Sequence, residues 1–181
     1  LGATLAPDLV PLLASLSDAQ TAELLEAFAE RIEDDRETYL DPPAERRRAQ
    51  RIARMEERLE KWLGELSREQ EAAVARWADA LRPTTATWLA QREAWRQRLG
   101  AALTLRGDSA RFAPLLHGLL VEPERSWPHA YRDDLAFNRA RTFTLLAEVQ
   151  SLASERQRAH IADELAALAE PFTGLACSAP P

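Results

Sequence analysis

Three times along this chain a serine is followed three residues later by a glutamine: Ser17-Asp18-Ala19-Gln20, Ser67-Arg68-Glu69-Gln70 and Ser154-Glu155-Arg156-Gln157. Leu16 and Leu66 stand directly before the first two, and Leu152 one residue further back before the third. This spacing is that of a capping box. The serine hydroxyl accepts from a backbone N–H of the new helix, and the glutamine side chain reaches back to the serine N–H. Ser17, Gln20, Ser67, Gln70, Ser154 and Gln157 are therefore expected to be structural helix caps.

The intervals between boxes read as helix. From Ser17 an inward stripe of Leu25, Phe28, Ile32 and Tyr39 runs to about Leu40, where Pro42-Pro43 break it. The next helix runs from about Pro43 to Leu63, with Ile52, Met55, Leu59 and Trp62 on one face and Gly64 as a positive-φ stop. After Ser67 come Val74, Trp77 and Leu81; Pro83 separates them from a helix carrying Trp88, Trp95, Leu99 and Leu103. Gly107-Asp108-Ser109 predicts a turn and cap before Phe112, Leu115, Leu116, Leu119 and Leu120, and residues 122–128 a loop. A long helix over His129 to Leu152 has Tyr131, Leu135, Asn138, Thr142, Leu145 and Val149 on its stripe, with Asn138 as a hydrogen-bonded, register-setting residue. The last helix, from Ser154, carries Ile161, Leu165, Leu168 and Phe172 inward. Residues 1–15 read as a short helix or turn, and 173–181 as a frayed tail of small residues. No alternating strand pattern lies between turn signals. The expectation is an all-α chain of about seven mostly antiparallel helices in one domain over 1–181, as a bundle that an elongated form would also satisfy. The boxes at Ser17 and Ser67 each open a helix pair, a pattern compatible with a duplicated hairpin.

Composition narrows the function classes. The chain has 46% hydrophobic and 29% charged residues and a net charge of -6. That balance fits a folded chain, and the negative sign argues against nucleic acid, whose binding rests on neutralising phosphates. Of 23 basic residues only Lys61 is lysine. The one cysteine, Cys177, rules out an intramolecular disulfide. The chain opens on Leu1-Gly2, which reads as a fragment from which an upstream targeting segment is missing.

Candidate chemistry is sparse. His117, His129 and His160 lack metal-ligand spacing; His160 and Glu164 share a helix face but are too few for a site. The carboxylate runs Glu33-Asp34-Asp35 and Asp133-Asp134 read as solvated outer faces, with a hydrolase using carboxylate acid/base residues as the alternative. No phosphate loop, dinucleotide fingerprint or nucleophile elbow is present, and no cofactor or metal is implied. Arg47, Arg51, Arg54 and Arg58 form a basic stripe, read first as a helix face neutralised by glutamates and second as a surface for an anionic membrane or acidic protein. The tryptophans Trp62, Trp77, Trp88, Trp95 and Trp127 read mainly as core; Trp88 and Trp95, a heptad apart, share a face. Trp62 and Trp127, with the four arginines, are the candidate partner-binding residues.

The Leu-Ser-x-x-Gln tetrads, the Trp62-Leu63-Gly64 stop, Trp77, the Trp88/Trp95 helix and Asn138-Arg139 resemble an uncharacterised lipoprotein family of Gram-negative bacteria, over nearly the whole chain. That resemblance implies a signal peptide and a lipid-bearing cysteine upstream, and Cys177 is not that cysteine. It implies a periplasmic envelope protein that meets the membrane only through its anchor. The tetrads are also similar to the Leu-Thr-x-x-Gln motifs of Spy-type periplasmic chaperones, which implies an unfolded client. The function expected is non-enzymatic contact with a protein partner, in a chaperone-like or stress-related version.

Overall fold

The computed structural model describes the backbone of residues 2–176 and the side chains of 8–169. Phe172, Cys177 and the segment 177–181 lie outside these described side chains. The described residues contain eight α-helices and no strand: α1 Gly2–Ala14, α2 Asp18–Tyr39, α3 Ala44–Leu63, α4 Arg68–Ala80, α5 Thr85–Leu103, α6 Ser109–Val121, α7 His129–Ser151 and α8 Glu155–Ala176. The fold is all-α. Two expectations change. The N-terminal stretch is a full helix, Pro7 and Pro11 included, which raises the helix count from seven to eight. At the other end α8 continues through Pro171 to Ala176, past the start of the expected tail.

The chain divides into two compact units. The first comprises Leu1–Pro42 and Pro83–Leu135, the second Pro43–Arg82 and Ala136–Pro181. Two of the crossings fall at helix-breaking prolines, Pro42-Pro43 and Pro83; the third lies inside α7, which no sequence signal marks.

In the first unit α1 packs on α6, α2 on α5, and α5 on α6. Leu99, Ala102 and Leu103 of α5 meet Phe112 and Leu116 of α6 in a fully enclosed core. Asp108 caps α6 by accepting from the Arg111 N–H. Arg106 fastens the start of α2 by donating to the Leu16 carbonyl at 2.8 Å and pairing with Asp18.

In the second unit α3 packs on α4 and α8. Met55, Leu59, Leu63, Leu66, Val74, Leu145 and Val149 form the core. Leu63 takes the buried place at the end of α3, and Trp62 is half-buried beside it. Gly64 stops the helix at φ 71°, where a β-carbon would be strained. Trp77 donates to the Thr142 hydroxyl at 3.1 Å, and Asn138 exchanges two hydrogen bonds of 2.9 Å with the backbone N–H and carbonyl of Arg82. The inward stripe expected for the last helix holds at Ile161 but not at Leu165 and Leu168, which are exposed.

All three capping boxes form. The box at Ser17 is exposed. The other two meet in the second unit's interior. Gln70 donates to the Gln157 side-chain oxygen at 3.2 Å and accepts from its amide at 3.0 Å. Gln70 also donates to the Val149 carbonyl, and Gln157 to the Glu65 carbonyl.

The same substitution should therefore have different consequences in two boxes. Gln20→Glu keeps a normal capping box and should shift stability by less than about 0.5 kcal/mol. Gln70→Glu keeps the cap but loses both donors inside the core, and should cost about 2–4 kcal/mol at neutral pH. Protonation of the introduced carboxylate restores a donor, so the deficit of this variant should shrink as pH falls. Urea midpoints at neutral and mildly acidic pH check this; equal effects of the two substitutions would contradict the geometry.

Candidate functional site

The first unit holds an open cavity of about 250 Å³ walled by aromatic side chains. Phe28 and Ile32 reach it from α2, and Trp88 and Trp95 from α5. Pro123 opens a short 3₁₀ turn after α6, and Trp127 follows that turn. Both line the cavity, as does Tyr131 in the first turns of α7.

Each ring is held. Trp95 donates its indole N–H to the Leu119 carbonyl at 3.0 Å and meets Phe28 edge to face at 5.3 Å. Trp88 is flanked by Tyr39 at 6.2 Å and by the Arg92 guanidinium at 5.0 Å. Trp127 meets Tyr131 edge-on at 5.3 Å. Such T-shaped contacts contribute about 0.5–1.5 kcal/mol each beyond area burial.

Among the lining residues Gln91, Arg92, Arg96 and Tyr131 carry polar groups. Arg92 pairs with Asp35 of α2, and Arg96 is held by two bonds to Glu93, of 2.8 and 2.7 Å. Burial pushes the Tyr131 phenol above its ordinary range, so it remains a neutral hydrogen-bond donor at physiological pH. Asp35 is 4% exposed and also faces Arg31 at 3.9 Å. This corrects the reading of Glu33-Asp34-Asp35 as a solvated run: Asp35 turns inward. The signal was available, because 28, 32, 35 and 39 fall on one helix face. Its partner Arg92, lying 57 residues away, carried none.

The expected binding residues part company here. Trp127 lines the cavity, whereas Trp62 lies on α3 in the second unit. The arginine stripe is also on α3. Arg51 donates to the Ala78 carbonyl at 2.8 Å, and burial, then Arg54 and Arg47, pull its guanidinium below its ordinary value. Arg48, adjacent to the stripe, grips Asp79 through two bonds. The stripe thus fastens α3 to the end of α4 in part, while Arg54 and Arg58 are exposed. Trp88, Trp95, Phe28, Ile32 and Tyr131 were legible only as helix-face residues, because their convergence depends on tertiary packing.

The Asp35–Arg92 pair makes a stability prediction. Arg92→Ala leaves a buried carboxylate with only the exposed Arg31, at 3.9 Å, as a charged partner, and should cost about 3 kcal/mol. Asp35→Asn combined with Arg92→Gln removes the orphaned charge and should recover more than half of that. Urea titrations of the two variants check the order; a more stable single variant would show that the pair does not anchor α2 to α5.

Among the described residues no helix is long and apolar enough to cross a membrane, and no group of three or more His, Cys, Asp or Glu is placed to hold a metal. No curated protein and no solved structure matches this chain. A model of a family of unknown function, DUF6279, matches residues 1–132, a span that includes every residue lining the aromatic cavity. The chain belongs to that family.

Proposed function

We propose that this protein is a non-enzymatic component of the cell envelope that acts by holding other polypeptides, with the aromatic cavity of its first unit as the grip. The cavity carries the reading. Three tryptophans are held by partners yet only half-buried around an opening. Rigid aromatic rings lose little entropy on binding and are the side chains that most often anchor protein contacts. The lining offers aromatic faces and hydrogen-bond donors, which is the equipment for holding an apolar side chain with a polar attachment. The tetrads' resemblance to Gram-negative lipoproteins supports a periplasmic, lipid-anchored placement, and their similarity to Spy-type motifs supports an unfolded or partly folded client.

The test is aggregation of a chemically denatured client enzyme, followed by light scattering with this chain at about equal molarity. The chain should suppress scattering where an acidic protein of similar size does not. Trp88→Ala with Trp127→Ala should abolish most of the effect while far-ultraviolet circular dichroism stays helical. No suppression by the unaltered chain, or full suppression by a folded double variant, would remove the cavity from this role.

A further inference from the structure

Building on the cavity's role as a polypeptide grip, we infer that it is selective for a free carboxylate attached to an apolar body, as presented by the C-terminus of a polypeptide ending in an apolar residue. Charge placement supports this selectivity. Both charged side chains that line the cavity are arginines, Arg92 and Arg96. Their carboxylate partners, Asp35 and Glu93, are not part of the lining. The lining therefore includes two arginine side chains and no carboxylate, each arginine being paired with a carboxylate outside the lining.

The donors are also unspent. A guanidinium has five N–H groups in a fixed fork. Asp35 engages Arg92 at Nη1, and no other described residue bonds to the rest of that fork. Nor is the Gln91 amide or the Tyr131 hydroxyl hydrogen-bonded to any described residue. A carboxylate accepts through two oxygens and is matched by such donors; charge-assisted bonds of this kind are about twice as strong as neutral ones. A cationic occupant meets like charge at Arg92, which already occupies the face of Trp88. A purely apolar occupant would cover the donors without replacing their water, at a cost of about 1–3 kcal/mol per group. The aromatic walls then require that the carboxylate be carried on an apolar body.

The probes are a short peptide ending in Leu-Phe with a free C-terminus, its C-terminal amide, and decanoate. Binding is followed by the indole N–H signals of the tryptophans in NMR spectra of the whole chain. The free acid should shift the Trp88, Trp95 and Trp127 signals and bind about tenfold tighter than the amide. In the Asp35→Asn/Arg92→Gln variant, which keeps the pair neutral and hydrogen-bonded, that preference should fall to about twofold or less. Arg92→Lys, which keeps the charge, should retain a preference. Equal binding of acid and amide, no shift from either at about 10 mM, or binding of decanoate without the peptide acid would overturn the inference. Acid-selective shifts in a chain that fails to suppress aggregation would leave this selectivity standing and remove the client-holding role. Suppression without acid selectivity would do the reverse.

Discussion

Two glutamine side chains, 87 positions apart, close the interior of the second unit. Gln70 is completely buried and Gln157 is 7% exposed. Each amide oxygen accepts twice: from its own cap serine's N–H, at 2.9 or 3.0 Å, and from the other glutamine. Each amide nitrogen donates twice: to the other glutamine and to a backbone carbonyl, Val149 for Gln70 and Glu65 for Gln157. Two donors and two acceptors are the full capacity of the side chain. The network has no spare member, which is the condition under which a buried polar cluster fixes a structure rather than weakening it. It also accounts for glutamine where capping boxes commonly carry glutamate. Two helix N-termini meet here and would each favour a negative charge by about 0.3–1 kcal/mol. A carboxylate would leave a backbone carbonyl in the core without its donor and set two oxygens face to face with no hydrogen between them, at about 1–3 kcal/mol each, so the amide wins.

The first unit solves its polar problem differently. Its core is sealed by Leu99, Leu103, Phe112 and Leu116, and among the described residues no buried polar side chain belongs to that cluster. The inward-facing carboxylate, Asp35, is met by an arginine rather than an amide. A guanidinium brings more donors than one carboxylate can use. If the aromatic rings closed over Arg92, its remaining N–H groups would be buried without partners. The open space beside Trp88 and Trp95 leaves those groups in reach of solvent. Gln91 and Tyr131 lie on its wall as well.

Local physics was legible in the sequence, and long-range pairing was not. The three boxes, the proline breaks, the Gly64 stop and the stripes Leu25–Phe28–Ile32 and Leu145–Val149 follow from spacing that any helix imposes. Residues 1–15 read as a short helix or turn, and the structure makes them helix from Gly2 to Ala14 although Pro7 and Pro11 lie past the first turn, where proline is most readily tolerated. Leu165 and Leu168 fall on the right period but find no neighbour, since a stripe records what a helix could bury and not what arrives to cover it. The joining of the Ser67 and Ser154 boxes could not be read at all: Gln20 sits in the same local pattern and remains exposed. For the cavity, the shared face of Trp88 and Trp95 and the inward position of Asp35 were within reach. Their meeting with Trp127 and Tyr131 depended on how α6 ends and where its 3₁₀ turn returns the chain.

The two polar clusters therefore differ in what they leave over. Around Gln70 and Gln157 every donor and acceptor is used, so a ligand arriving there could gain hydrogen bonds only by breaking existing ones. Around Arg92 the protein has fixed the guanidinium with Asp35 and the Trp88 ring and left its remaining donors to solvent. Fixed donors left to solvent beside rigid apolar walls are what preorganised recognition requires, because neither orientation entropy nor a competing internal bond has to be overcome. The apolar cores around Leu103–Phe112 and Met55–Val74 are closed elsewhere. The two clusters thus divide by hydrogen bonding: the glutamine pair is closed on itself, and the Arg92 side chain keeps N–H groups open to solvent.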